Sequence, residues 1–248
     1  EINPSRYMVQ AGWDDVPHLD ETTKAQLLRA TPPYLRDARS KGTPSLGAGA
    51  IYPIPMEEIA CETFAVPKFW KRSYAMDVGW KRTAVLWSAY DPADGTRYVY
   101  AEYYRGQAEA SVHTTAIRTR GIWIPGVIDP AARGRAQTDG QTLLDQYQAL
   151  GLNLHIANNS VSAGLDATWE ALSQGRTKIM KHLRNTFSEY RLYRRDEKGK
   201  IVKEHDHLMD CLRYGEMSGR DIAIIMPRQH AGPGAAQDWA PADSRAGY

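Results

Sequence analysis

The feature that most constrains the fold is a carboxylate inside an otherwise apolar strand pattern at residues 72–80. A period of two places Asp77 between Ala75 and Gly79 on one face of this strand, opposite larger apolar side chains. A buried carboxylate is costly unless a cation or hydrogen bonds compensate it, and the small neighbours leave room for a hydrated cation. The pattern therefore favours Asp77 as a metal ligand. The alternative is an Asp that opens a tight turn at Val78 and Gly79.

Composition indicates a globular protein whose charges nearly balance. The chain has 248 residues, of which 42% are apolar and 24% charged, enough for one large domain or one domain with an appendage. Because the net charge is only +2, a nucleic-acid surface must come from local clustering of Lys and Arg. Cys61 and Cys211 lack a CxxC spacing, which disfavours a disulfide scaffold or a cysteine zinc site and favours a reducing cytoplasm. No apolar run approaches the roughly 18 residues of a membrane span, so no membrane contact is expected.

Three segments of the chain differ in composition. Residues 1–66 are rich in Pro, Gly and charge, with one amphipathic helical pattern over 20–29, and are predicted to form a linker or wrapping arm. Residues 67–230 show the periodicity of a packed domain, whereas 231–248 have none, which predicts a disordered tail. Because the sequence starts at Glu1, we expect it to be a piece of a longer polypeptide.

The packed region begins with an antiparallel meander and continues with alternating strands and helices. A helix that ends at Gly151 is expected after the capping-box spacing of Thr138 and Gln141. A meander followed by strand-helix repeats predicts a mixed sheet with helices on its faces, in the α/β class. The predicted strands are 73–79, 83–90, 98–104, 124–130, 152–157 and 178–181, and the predicted helices are 108–119, 143–150, 164–173, 183–193 and one from 206.

A basic segment at residues 176–203 contains ten Lys or Arg against three acids. Arg191, Arg194 and Arg195 are interleaved with Tyr190 and Tyr193, a combination that suits a groove that follows a nucleic-acid backbone. The alternative is a solvated helix face.

Further carboxylates lie at the ends of other predicted elements. Asp129 ends a short apolar strand, and Asp206 and Asp210 lie one helical turn apart, where Asp206 could instead be an N-cap. If these elements are neighbours, Asp77, Asp129 and Asp210 converge, and such a cluster of like charges is tolerable only around cations. The cluster suits two hard divalent ions about 4 Å apart, one activating a water and the other stabilising the leaving oxygen of a phosphodiester displacement.

Over about residues 40–226 the sequence resembles the C-terminal nuclease domain of the large terminase subunit of tailed bacteriophages. The resemblance rests on 74–80 with Thr83, on 126–130, and on 191–202 running into 206–214. It implies an RNase H-like mixed five-stranded sheet flanked by helices, with an N-terminal linker arm and a β-hairpin insertion. It also implies a metal-dependent endonuclease that cuts concatemeric double-stranded phage DNA during genome packaging, in the cytoplasm of the infected bacterial host.

The resemblance further implies the residues of the site. The implied metal ligands and catalytic residues are Asp77, Asp129 and Asp210, with Asp206 replacing or joining Asp210, around two divalent cations, Mg²⁺ or Mn²⁺. His207 is expected to support these ligands or to contact DNA. The expected DNA-binding residues are Lys81, Arg82, Arg191, Arg194, Arg195, Lys198 and Lys200. Lys81 and Arg82 could instead be no more than exposed turn residues.

The implied partners are double-stranded DNA and, in the full protein, an ATPase domain, the portal protein and the small terminase subunit. The phosphate-binding motif G-x-x-x-x-G-K-[ST] does not occur in this sequence. The chain is therefore expected to cut DNA but not to hydrolyse ATP.

Three other interpretations remain open from the residues alone. The carboxylates also fit another nuclease of RNase H fold, such as a resolvase or a transposase. The run from Asp77 to Gly79 also fits an actin-like phosphotransferase, although that fold needs a second Asp-x-Gly strand and a glycine-rich adenosine loop that this sequence lacks. A scaffold that only binds DNA or a packaging partner would have no use for the acidic cluster.

Overall fold

The structure, a computed structural model, describes residues 11–30, 40–41, 49–134, 142–196 and 199–227. Within them, one mixed sheet of seven strands runs in the order β1-β7-β4-β3-β2-β5-β6. The strands are β1 (Ala60–Cys61), β2 (Lys71–Asp77), β3 (Thr83–Tyr90), β4 (Arg97–Arg105), β5 (Gly126–Ile128), β6 (Leu154–Ile156) and β7 (Thr177–Met180).

The strand directions follow the sequence pattern. Strands β2, β3 and β4 form the predicted antiparallel meander. Strand β5 pairs in parallel with β2 and with β6, and β7 pairs in parallel with β4. The mixed α/β sheet is therefore confirmed.

The five strands implied by the resemblance are too few, because β7, predicted from the sequence at 178–181, and the two-residue β1 extend the sheet beyond β4. An uncovered β4 edge would present a row of unpaired backbone N–H and C=O groups. Strand β7 pairs with it, and the two-residue β1 then pairs in parallel with β7. So short a strand leaves no period-two pattern that could be recognised in a sequence.

Helices lie on both faces of the sheet. Their bounds are α1 (Glu21–Ala30), α2 (Met56–Ile59), α3 (Ala110–Arg118), α4 (Leu143–Ala149), α5 (Val161–Ser173), α6 (Arg184–Leu192), α7 (His207–Tyr214) and α8 (Arg220–Ile222), and a π-helical turn (Gly215–Gly219) joins the last two. The capping box of α4 is formed by Thr142 and Asp145 and not by Thr138 and Gln141, which lie outside the described residues.

The sheet separates two hydrophobic clusters, as the period-two pattern of β2 predicts. Ala75 belongs to a cluster with apolar side chains of α5, α6 and α7, such as Leu172, Phe187 and Leu208. Tyr74 and the adjacent Met76 belong to the other cluster. Because Asp77 follows Ala75 by two residues, its side chain lies on the face that α7 covers.

Part of the predicted arm packs against this core. Tyr52 stacks on Tyr190, with ring centroids 6.1 Å apart, and is 4% exposed. The Tyr190 hydroxyl donates to the backbone oxygens of Tyr52 at 3.2 Å and Ile54 at 3.0 Å. The segment before β2 is thus attached to α6, whereas the predicted tail at 231–248 lies outside the described residues.

A small hairpin lies between α6 and α7. Arg195 and Ile201 form an antiparallel bridge, and the Asp196 N–H donates to the Lys200 oxygen at 2.7 Å. The resemblance implied a β-hairpin insertion without giving its position. None of the helices in the described part of the chain has the length and apolarity needed to cross a membrane.

Candidate active site

Asp77 and Asp129 lie side by side because the two strands that carry them are parallel neighbours. Strands β2 and β5 pair with Met76 opposite Ile128, so the residue that follows each partner stands at the same edge of the sheet. The Asp129 N–H donates to the Met76 oxygen at 3.3 Å. Asp129 Oδ1 also accepts the Ala131 N–H at 3.0 Å and so caps the short 3₁₀ turn that follows β5.

Asp210 reaches the same edge from α7, which lies across β2 and β3. The Cys211 thiol donates to the Ala84 oxygen at 3.3 Å, and Ala84 is the cross-strand partner of Asp77. This contact fixes the helix over the end of β2. Asp210 is therefore held above the strand ends that carry Asp77 and Asp129.

The three carboxylates share one electrostatic environment. Burial raises the pKa of Asp77, and the negative charges of Asp210 and Asp129 raise it further, against the opposing effect of a bond to His207. The buried Tyr214 hydroxyl responds to the same charges: burial raises its pKa first, and Asp210, Asp129 and Asp77 add to the shift. The charges of Asp210 and Asp129 thus act both on Asp77 and on the Tyr214 hydroxyl.

Basic side chains of the same chain contact two of these three carboxylates. The imidazole Nδ1 of His207 lies 2.7 Å from Asp77 Oδ2. Asp210 Oδ1 accepts from the Arg213 guanidinium at 2.9 Å, and Asp210 Oδ2 accepts from Lys203 Nζ at 3.2 Å. Lys203 Nζ also lies 3.0 Å from Asp206 Oδ2.

These internal contacts decide how well the site fits a metal ion. Among the described residues, no three His, Cys, Asp or Glu side chains are arranged to enclose one. The donors are nevertheless carboxylate oxygens, which suit Mg²⁺ and Mn²⁺, and three charges that face one region favour a cation between them. His207 bonds Asp77, and Lys203 and Arg213 bond Asp210, so oxygens of these two carboxylates already have partners within the chain.

Asp206 stands at the N-cap position of α7, but its side chain makes no capping hydrogen bond. Glu189 of α6 takes that role: its Oε2 accepts the Leu208 N–H at 2.6 Å, and its Oε1 accepts from the Tyr104 hydroxyl. A carboxylate at a helix N-terminus stabilises the unpaired N–H groups there. Asp206 is therefore free of the capping role and lies 5% exposed beside Lys203.

The predicted DNA-binding cations lie at the surface. No hydrogen bond or ion pair in the described structure joins any of them to Asp77, Asp129 or Asp210. Arg82 lies over the Tyr104 ring at 4.4 Å, and Arg195 donates to the Gly199 oxygen at 2.9 Å. The exposed members are Lys81, Arg191, Arg195 and Lys200, the half-buried ones are Arg82 and Arg194, and Lys198 lies outside the described residues.

The sequence analysis missed four residues of this site. Arg213 follows Asp210 by three positions on a helix, a spacing that favours an ion pair and could have identified it. Lys203 and Glu189 were counted only as charges of the basic segment, and Tyr214 only as part of a motif. Glu189 bonds a residue 19 positions later in the chain, and Lys203 contacts Asp206 and Asp210 from an irregular segment, so no helix or strand periodicity indicates either contact.

The pair of His207 and Asp77 predicts a pH dependence of stability. The bond to Asp77 raises the pKa of His207 above its usual value of 6.5, so the folded protein holds this proton more tightly than the unfolded chain. Its stabilising contribution is complete below 6.5 and is lost as the pH rises through the raised value. We expect urea unfolding in chelator to show a steeper loss of stability over this window in the parent than in His207→Asn. Identical pH slopes in the two proteins would contradict the ion pair.

Comparison with known proteins places this fold in a family. The family model described as the terminase RNaseH-like domain matches residues 75–218. The large terminase subunit of Salmonella phage P22 is 29% identical over 214 residues, which cover 83% of this chain and 43% of that protein. The large terminase subunit of Enterobacteria phage LP7 is 29% identical over 211 residues, 82% of this chain and 44% of that protein.

The solved structure of the P22 large terminase nuclease domain is 30% identical in sequence, with a TM-score of 0.66. The match covers 73% of this chain and 96% of that one, whereas the chain spans less than half of the two phage subunits. The resemblance drawn from the sequence is thus confirmed. The family model matches more than half of the residues of this chain, and the chain therefore belongs to the family of terminase RNaseH-like domains.

Proposed function

We propose that this chain is the nuclease part of a large terminase subunit and cuts double-stranded phage DNA during genome packaging. The observation that carries the proposal is the position of Asp77 and Asp129 at the ends of adjacent parallel strands of an RNase H-like sheet, with the helix that carries Asp210 packed over β2 and β3. The match to a domain named as the P22 terminase nuclease supports it. An acidic site of this kind has little use in a protein that only binds DNA, because its charges would repel the phosphates.

Each side chain has a distinct task in this proposal. Asp77 and Asp129 present oxygens from the ends of two adjacent strands, and Asp210 presents oxygens from the covering helix. The buried Arg213 guanidinium fixes one oxygen of Asp210, and His207 orients Asp77. When bound, two divalent ions, Mg²⁺ or Mn²⁺, would activate the attacking water and stabilise the leaving oxygen of the phosphodiester.

Incubation of the purified chain with supercoiled plasmid tests the function. With Mn²⁺ or Mg²⁺, we expect conversion first to nicked circles and then to linear DNA, since an endonuclease needs no free end. Excess chelator should stop the reaction. A preparation free of host nuclease that leaves the plasmid supercoiled at every metal concentration would refute the proposed activity.

We further propose that Arg191, Arg194 and Arg195, near the hairpin, bind the DNA backbone without sequence preference. Replacing Arg191, Arg194 and Arg195 together by Ala should weaken binding to all duplexes alike and reduce the slope of log affinity against log salt by up to about three. Fluorescence anisotropy with two unrelated duplexes at several salt concentrations measures both effects.

The matched control for this variant is Arg176→Ala, which removes an exposed cation that pairs with Glu170 outside the hairpin region. We expect this variant to bind DNA as the parent does. Equal affinity and equal salt slopes for the parent and the triple variant would exclude these arginines as the binding surface.

In the full protein, the proposed partners are an ATPase domain, the portal protein and the small terminase subunit. The P22 subunit extends well beyond the region that matches this chain, which leaves room for an ATPase domain. The proposed location is the cytoplasm of the infected bacterium, where concatemeric DNA is packaged.

A further inference from the structure

Lys203 lies between two of the carboxylates of the site. Its Nζ is 3.0 Å from Asp206 Oδ2 and 3.2 Å from Asp210 Oδ2. The two carboxylates are only 7% and 13% exposed, whereas the Lys203 side chain is 63% exposed. An exposed ammonium therefore pairs with two acids that are themselves largely buried.

The two oxygens of Asp210 have partners of different character. Oδ1 is bonded by Arg213, whose side chain is 2% exposed and belongs to the same helix. Oδ2 is bonded by Lys203, which lies outside α7 in the irregular segment that follows the hairpin. The buried Arg213 would lose its only charge partner among the described residues if it left Asp210, whereas the exposed Lys203 can turn into water once another cation compensates the carboxylates.

Among the described residues, Lys203 is also the only cation within ion-pair distance of both Asp206 and Asp210. A divalent ion needs the same lone pairs on Asp210 Oδ2 that the ammonium now occupies. A side chain with one positive charge and a flexible stem provides a weak substitute for such an ion, because it can pair with the acids without enclosing them.

We propose that Lys203 is a built-in competitor of the divalent cation: it pairs with Asp206 and Asp210 in the metal-free protein and must leave Asp210 when the metal binds. This inference rests on the proposed metal-dependent function. The competition would explain why no three acidic, His or Cys side chains of the described residues are arranged as metal ligands. The competition lowers the apparent metal affinity while it stabilises the metal-free site.

Titration calorimetry of Mn²⁺ into the protein tests the competition directly. The titration is done without DNA, so that no cleavage occurs. We expect Lys203→Gln to bind Mn²⁺ about fivefold more tightly than the parent, since the metal no longer displaces a cation. In chelator, the same variant should unfold about 2 to 4 °C lower, because Asp206 and Asp210 lose their shared partner. Lys203→Arg keeps the charge and should bind Mn²⁺ as the parent does.

A second control separates the local contact from the general loss of one positive charge. Lys181→Gln removes an exposed cation that pairs with Glu62, and we expect its Mn²⁺ affinity to equal that of the parent. If the parent binds Mn²⁺ and Lys203→Gln binds it equally or more weakly, the competition is refuted while the proposed function stands. If the parent binds no Mn²⁺, the metal-dependent function and this inference both fail.

Discussion

Replacing Asp77, Asp129 or Asp210 by Asn should reduce metal-dependent plasmid nicking by about a thousandfold or more in each case. Each change removes one charge and one strong oxygen donor while it nearly preserves side-chain shape. Asp77 and Asp129 follow adjacent parallel strands and Asp210 lies on the helix that packs over them, so we expect the loss of any one to weaken cation binding at the proposed site. Gel assays of plasmid conversion against Mn²⁺ concentration measure the loss, and DNA affinity measured by anisotropy should remain close to that of the parent.

The contacts of these acids predict different effects on metal-free stability. Burial raises the pKa of Asp77, so its charged form is disfavoured in the folded protein, and Asp77→Asn should leave stability unchanged or raise it. Asp210 instead pairs with Arg213, which is 2% exposed, so Asp210→Asn should lower stability by about 2 kcal/mol. If both variants have the same free energy of unfolding in urea, the contact between Asp210 and Arg213 does not contribute to the stability of the metal-free protein.

Asp206→Asn is the matched control, because it removes an acid from the same helix end. Asp206 makes no capping bond, and Glu189 caps α7 in its place. A loss of nicking as large as that of Asp210→Asn would assign Asp206 to the metal ligands. A loss of less than about tenfold would limit its role to the pair with Lys203. Parental nicking by Asp77→Asn, in a preparation free of host nuclease, would exclude the site itself.

Local periodicity explains which parts of the fold could be predicted. The meander has long strands with clear alternation, and its predicted bounds agree with β2, β3 and β4 to within two residues. Asp129 could be predicted as a strand end because a Pro follows it, and Pro130 begins a 3₁₀ turn. Strand β1 could not be predicted, since only its pairing with β7 makes two residues a strand.

The same reasoning explains what was predictable in the site. Asp77 and Asp129 follow residues that pair across parallel strands, so their meeting follows from topology once the sheet order is known. Lys203 lies in an irregular segment where no period constrains its direction, and its contacts with Asp206 and Asp210 depend on how that segment returns to α7. Glu189 caps a helix that begins 18 positions later in the chain, a relation that no sequence motif encodes.

Gly126→Ala should destabilise the protein by about 3 kcal/mol and impair the site at the same time. A Cβ at this position would overlap the aromatic ring of Tyr74, closer than real Cβ contacts allow. Tyr74 is 2% exposed and its ring lies 5.9 Å from that of Trp87, so the ring has no open space to enter. Gly126 and Tyr74 are partners in the pairing of β5 with β2, so relief of the overlap must move apart the strands that carry Asp129 and Asp77. Urea unfolding measures the loss of stability, and plasmid nicking at a temperature where the variant is folded measures the effect on the site.

A double-mutant cycle with Tyr74→Leu tests whether the overlap is the cause. Leu lacks the ring atoms that the new Cβ would meet, so Gly126→Ala should cost at least about 1 kcal/mol less in the Tyr74→Leu background than in the parent. If Gly126→Ala is equally costly in both backgrounds, the glycine is required for its backbone and not for the close approach of Tyr74. Since Gly126 lies in an ordinary strand conformation with no positive φ, a backbone requirement has no support in the structure. The cost should therefore depend on Tyr74, the residue that holds β2 and β5 at the spacing from which Asp77 and Asp129 meet.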